Sequence, residues 1–175
     1  MLLVTGDKDY MKILKIVFRV LSIICYVGIA VYGLLYIPML FGYKPETVVS
    51  ESMVPALNRG DLVYYQMIPR EDIKLGDIVV FKNGDNLVMH RVSEITEEGH
   101  YVTKGDANSE SDEGYLNYYQ IEGRVAPKKI PVAGYVVKFI NENAWIIVIV
   151  AMILAVQFLL NLNLKKTKNA DKKKE

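Results

Sequence analysis

The chain reads as mainly β, a small antiparallel β-domain held between two transmembrane helices. Three observations predict this. Two uncharged apolar blocks, inside residues 13–40 and 145–164, are each long enough to cross a bilayer. Residues 42–143 between them are short β-branched or aromatic runs separated by turn signals. Positive charge gathers on the outer flank of each block.

The charge layout carries more than the net value of +1. Residues 1–42 hold four basic and two acidic side chains, 43–144 hold eleven and sixteen, and 145–175 hold six and two. Two positive ends around a negative middle form a membrane-topology pattern. A nucleic-acid partner is excluded by the negative middle. The expected organisation is a cytoplasmic segment over 1–15, a first span over 16–41, an extracytoplasmic β-rich catalytic domain over 42–143, a second span over 145–164 and a basic cytoplasmic tail over 165–175.

The first block is uncharged for 21 residues from Val20 to Leu40. Lys12, Lys15 and Arg19 precede it, and Tyr36, Phe41 and Tyr43 lie towards its far end, where aromatic rings suit an interface. A cleaved signal peptide is the alternative. It needs a shorter apolar core and a small-x-small exit, and "YIPMLFGYKP" offers none. Cys25, inside this block, is the single cysteine, so the chain builds no internal disulfide.

In the middle, strands are expected over 61–68, 76–82, 86–95 and 100–106, bounded by "NRGD", "KLGD", "KNGD" and "EEGH". Residues 123–140, "GRVAPKKIPVAGYVVKFI", predict one or two further strands, with the prolines at ends or edges. No helical period competes. Gly-Asp recurs at 60–61, 76–77, 84–85 and 105–106, and the first three read as turns. The second block, "WIIVIVAMILAVQFLLNLNL", opens on Trp145 and closes before a lysine-rich tail suited to lipid headgroups.

Candidates for chemistry are few. Ser52, in "SESMVP", lies shortly after the first span. His90, in "LVMHRV", shares a strand face with Val88 and Val92, while His100 follows a turn and reads as exposed. Asp106 and Asp112 fall in the polar run "GDANSESDEG". Each residue alone has a bland reading as a cap, a packed ring or a solvated turn. Together they supply a weak nucleophile, a base and a carboxylate to orient it. Two histidines in poor ligand spacing do not make a metal centre, and no cofactor is expected.

"SESMVPAL", "GDLVYY", "GDIVVF", "HRV" and "KGDANSESD", in that order, resemble type I signal peptidase, in its Ser–His branch of endoplasmic-reticulum and archaeal type. The resemblance spans residues 46–137 and the anchor order. It implies a β-domain of the signal peptidase type with Ser52 as nucleophile and His90 as general base. Asp112 matches the third member and Asp106 another important acidic position. Ser50 and the N–H of Ser52 match an oxyanion hole. It further implies signal-peptide-bearing preproteins as substrates, the bilayer and the secretion translocon as partners, and a cell-membrane site with both termini cytoplasmic and the catalytic domain on the outer face. Glu51 stands where the family often has glycine, and on an extended chain it would point away from Ser50 and Ser52. Ala107 likewise departs from a commoner Gly-Asp-Asn-Asn. Two other readings remain open: a Ser–Lys protease with Lys82 or Lys104 as base, and a non-catalytic two-span protein with an outer binding domain.

Overall fold

The computed structural model describes residues 3–171. Residues 35–141 form one compact unit, and the helical segments on either side form another.

The helical unit follows from the two apolar blocks. Helix α1 covers Leu3–Tyr36 and is extended by a short 3-10 turn to Phe41, where Pro38 and then Gly42 end it. Helix α3 covers Trp145–Asp171. The stretches Tyr10–Phe41 and Trp145–Leu162 are long and apolar enough to cross a membrane. Their side chains stay outward-facing: Ile16, Ile24, Ile147 and Phe158 are all exposed. An apolar helix that buries little of its surface in protein is suited to lipid. Of the basic tail, 172–175 lie outside the described residues.

The second unit is built on six strands: β1 (Lys44–Thr47), β2 (Leu62–Gln66), β3 (Ile78–Asn83), β4 (Asn86–Ile95), β5 (Tyr101–Lys104) and β6 (Ile121–Val125). They form one sheet in the order β1-β2-β6-β3-β4-β5, with every pairing antiparallel. The turns between them use Gly-Asp as the sequence suggests. Gly60, Gly76 and Gly84 all take positive φ, and the carboxylates of Asp61 and Asp77 accept from the N–H groups of Asn58 and Lys74.

Alternation along the strands produces two cores. On one side Val63, Tyr65 and Val80 pack with Val48, Met53, Leu57 and Val125. On the other, Val79, Phe81 and Val92 pack with Ile73, Tyr101 and Ile121. In β4 this sends Leu87 and Met89 to the first cluster and Val88 and Val92 to the second. His90 falls on the second side, its ring edge-on to Phe81.

Two features differ from the sequence expectation. Strand β1 was hidden by its brevity and by Pro45, which sits on an edge strand where its missing N–H costs no ladder bond. Residues 123–140 contribute only the end of β6, and from Ala133 the chain turns into helix α2 (Ala133–Glu142). The valine pair in "GYVVKFI" suggested a strand, but β2 is apolar on both faces and one must be covered. Leu62 and Tyr64 are covered by Val137 of α2, with Ala133 alongside. Gly134 permits the helix to seat there. A Cβ at Gly134 would stand 2.7 Å from the carbonyl oxygens of Gly60 and Asp61.

Beneath α2, Asp61 is 3% exposed and holds the ammonium of Lys129 at 2.6 Å. Burial alone would raise its pKa, but Lys129 and the Asn58 N–H outweigh burial and hold the carboxyl below its ordinary value.

Candidate active site

Ser52 is carried on a turn rather than a strand. After β1 the chain makes two more sheet-like bonds, Val48 N–H to Asp61 C=O and Gly60 N–H to Val48 C=O. It then folds into consecutive turns over 51–57, closed by Val54 N–H to Glu51 C=O and Leu57 N–H to Met53 C=O. Met53, 2% exposed, drives into the first core and pins the turn directly after Ser52. Glu51 is exposed on this turn, so the expected extended-chain geometry does not apply to it.

His90 reaches Ser52 from the middle of β4. Its Nε2 lies 3.1 Å from Ser52 Oγ, and its Nδ1 lies 2.5 Å from Asp112 Oδ2. A carboxylate only accepts, so Nδ1 carries the proton, and Nε2 is left to accept from the serine hydroxyl. Ser50 Oγ lies 3.1 Å from Ser52 Oγ, so both serine hydroxyls sit together at the mouth of the site. His90 is buried, whereas the Asp112 side chain keeps 29% of its exposure.

Asp106 does something different from Asp112. It makes a bidentate pair with Arg91, Nε to Oδ1 at 2.8 Å and a terminal nitrogen to Oδ2 at 2.6 Å. Arg91 also donates to the carbonyl of Gly76 at 2.7 Å. The Asp106 hydrogen bonds push the guanidinium further above its already high ordinary pKa. Arg91 adjoins His90 on β4, so Asp106 fastens the 105–112 loop to that strand without touching the imidazole.

Four contacts of this loop were not legible from residue type. The Ala107 N–H donates to the Ser52 carbonyl at 2.8 Å. A Cβ on Gly105 would stand 2.7 Å from that same carbonyl oxygen, so the fourth Gly-Asp is a close approach rather than a positive-φ turn. Thr103, on β5, donates from Oγ1 to Asp112 Oδ2 at 2.7 Å, and its carbonyl accepts from the Asp112 N–H at 2.8 Å. The signal for Gly105 and Thr103 was only their place beside Asp106 in "TKGD".

The remaining candidates lie elsewhere. Lys82 pairs with Glu122 at 3.2 Å, and Lys104 donates to the carbonyl of Ser109 rather than to a carboxylate. His100 is half-buried, not exposed, and stacks on Tyr115 with ring centroids 4.2 Å apart. Two clefts open near the triangle of Ser52, His90 and Asp112. One, about 470 Å³, is lined by Val48, Met53, Leu87 and Met89, with Ser50 at its edge. The other, about 380 Å³, is more polar and is lined by His90, Thr103, Asp112 and Tyr115.

No protein-family model matches the chain. It is, however, similar to curated proteins over most of its length. Signal peptidase I W of Bacillus subtilis (strain 168) is 28% identical over 131 residues, covering 67% of this chain and 69% of that one. The signal peptidase complex catalytic subunit SEC11C of Homo sapiens is 31% identical over 152 residues, covering 78% and 79%. The corresponding sec11 subunit of Sclerotinia sclerotiorum is 34% identical over 112 residues, covering 57% and 64%. Likeness at this level, across the β-domain and beyond it, means that the chain belongs to the signal peptidase I family, of the type that includes the SEC11 catalytic subunits.

Proposed function

We propose that this membrane serine endopeptidase removes amino-terminal signal peptides from secreted preproteins, with Ser52 as nucleophile and His90 as general base. The observation that carries the reading is the unbroken hydrogen-bonded line from Ser52 Oγ through the His90 imidazole to Asp112. Serine alone is a weak nucleophile, and a base with an orienting carboxylate supplies what it lacks.

Ser52 Oγ attacks the scissile carbonyl while His90 Nε2 takes the hydroxyl proton. Asp112 keeps the Nδ1 proton in place and stabilises the imidazolium that forms. The N–H of Ser52 and the hydroxyl of Ser50 receive the oxyanion. As the tetrahedral species collapses, His90 returns the proton to the leaving amine. Water, deprotonated by the same imidazole, then releases the acyl group. The apolar cleft beside Ser50 suits the small residues that precede the cut, and an extended peptide would bind there by strand-like contacts.

The charge layout supports both termini in the cytoplasm, with residues 42–143 on the outer face of the cell membrane. Two spans, over 16–41 and 145–164, would then hold Ser52 near the outer leaflet. Confinement there raises the effective concentration of a membrane-held preprotein leaving the secretion translocon, without any new contact. The test is cleavage of a model preprotein by the full chain in liposomes. Ser52→Ala, His90→Ala and Asp112→Asn should each lose activity while remaining folded, and near wild-type cleavage by His90→Ala would overturn the assignment.

A further inference from the structure

We infer that Thr103 is a positioning residue for the Asp112–His90 pair, a fourth member of the hydrogen-bonded line that starts at Ser52. The inference rests on the proposed function and deepens it. On β5, Thr103 pairs with Val92, and Lys104 pairs with Arg91. His90 and Val92 share a face of β4, so Thr103 lies on that face too, one step diagonally from the imidazole.

Asp112 needs such a partner. It sits on an irregular loop and its side chain is 29% exposed, so nothing in its own backbone fixes the carboxylate plane. Thr103 holds it at two points. Its carbonyl takes the Asp112 N–H at 2.8 Å, which fixes the backbone. Its hydroxyl donates to Oδ2 at 2.7 Å, the same oxygen that accepts from His90 Nδ1 at 2.5 Å. Two donors converging on one oxygen define its position better than either does alone. Thr103 itself is 2% exposed, so its hydroxyl depends on protein acceptors rather than on water. The hydroxyl thus keeps the Asp112 carboxylate aimed at Nδ1, ready for the imidazolium that forms when Ser52 attacks.

A buried threonine that merely satisfies its own hydroxyl would make the same contact, so the test must separate positioning from packing. Thr103→Val keeps the shape and removes the donor, while Thr103→Ser keeps the donor and removes a methyl. Each full-length variant is reconstituted in phosphatidylethanolamine–phosphatidylglycerol vesicles with a labelled model preprotein, and kcat and KM are measured separately. Thermal unfolding by circular dichroism checks the fold. The loss of a hydrogen bond to a charged group predicts that Thr103→Val lowers kcat about tenfold or more. Its KM should stay within about twofold, and Thr103→Ser should recover most of the rate. Wild-type kcat in Thr103→Val, equal damage in Thr103→Ser, or a change in KM alone would overturn the inference. If Thr103→Val does not fold, Thr103→Ala against Thr103→Ser makes the same comparison. Ser52→Ala runs alongside: if it still cleaves, the proposed function fails, whatever Thr103 does.

Discussion

Gly105→Ala tests how tightly the 105–112 loop holds Ser52. The added Cβ would lie 2.7 Å from the Ser52 carbonyl oxygen, 2.8 Å from Asn108 Nδ2 and 2.9 Å from Asn108 Cγ. Carbon–oxygen contacts settle at about 3.3 Å or more, so roughly 0.6 Å must be found. The Asn108 amide can rotate away. The Ser52 carbonyl cannot do so freely, because it also accepts the Ala107 N–H, and Met53 is locked in the core. Gly105 has no positive φ, so alanine fits the backbone and only the space is wrong. Misplacing a reacting group by 1 Å can cost about 10²-fold. A displacement of this size, shared between Ser52 and the loop, predicts a fall in kcat of about 10- to 100-fold. The overpacking itself should destabilise by about 1–3 kcal/mol. Preprotein cleavage in liposomes, with a parallel thermal melt, measures both. Cleavage within twofold of wild type would refute the reasoning, because the loop would then not be seated against Ser52.

Three further outcomes are expected. Met53→Ala should cost about 2–5 kcal/mol in chemical denaturation, since Met53 fills the first core, and it should free the turn that carries Ser52. Arg91→Lys keeps the charge but loses the bidentate grip on Asp106, so the melting temperature should fall and the 105–112 loop should exchange amide hydrogens faster. Asp61→Asn should destabilise at neutral pH. The Asp61 carboxyl is held below its ordinary 3.8 when folded, so its contribution is complete above that value and disappears as pH falls through the folded pKa. The gap between wild type and Asp61→Asn should therefore close in acid, and a gap of equal size at pH 7 and pH 2 would contradict the pairing with Lys129.

The sequence exposed some layers of this molecule and concealed others for physical reasons. Most strands were legible because β-branched runs alternate with glycine turns. Helix α2 was not, because the need to cover Leu62 and Tyr64 overrode the valines' strand preference. Ser52, His90 and Asp112 stood out through order and residue type, and the structure brings their side chains into contact. Asp106 and Asp112 could not be told apart in a polar loop. Their difference lies in register: Arg91 and His90 point to opposite faces of β4, and each captures one carboxylate. Thr103 could not stand out at all, because threonine on a strand needs no functional reason.

The sheet order has a consequence for how the β-domain is assembled. Ser52 lies on the β1–β2 half and His90 and Asp112 on the β3–β4–β5 half, yet in the sheet these halves are joined through β6, which is last of the six in the chain. A growing chain therefore carries Ser52, His90 and Asp112 before it carries the strand that bridges the two halves. Residues 121–125 act as the closing stitch of the sheet. A nascent chain that stops short of residue 121 carries Ser52 and His90 on two parts of the sheet that no strand yet bridges.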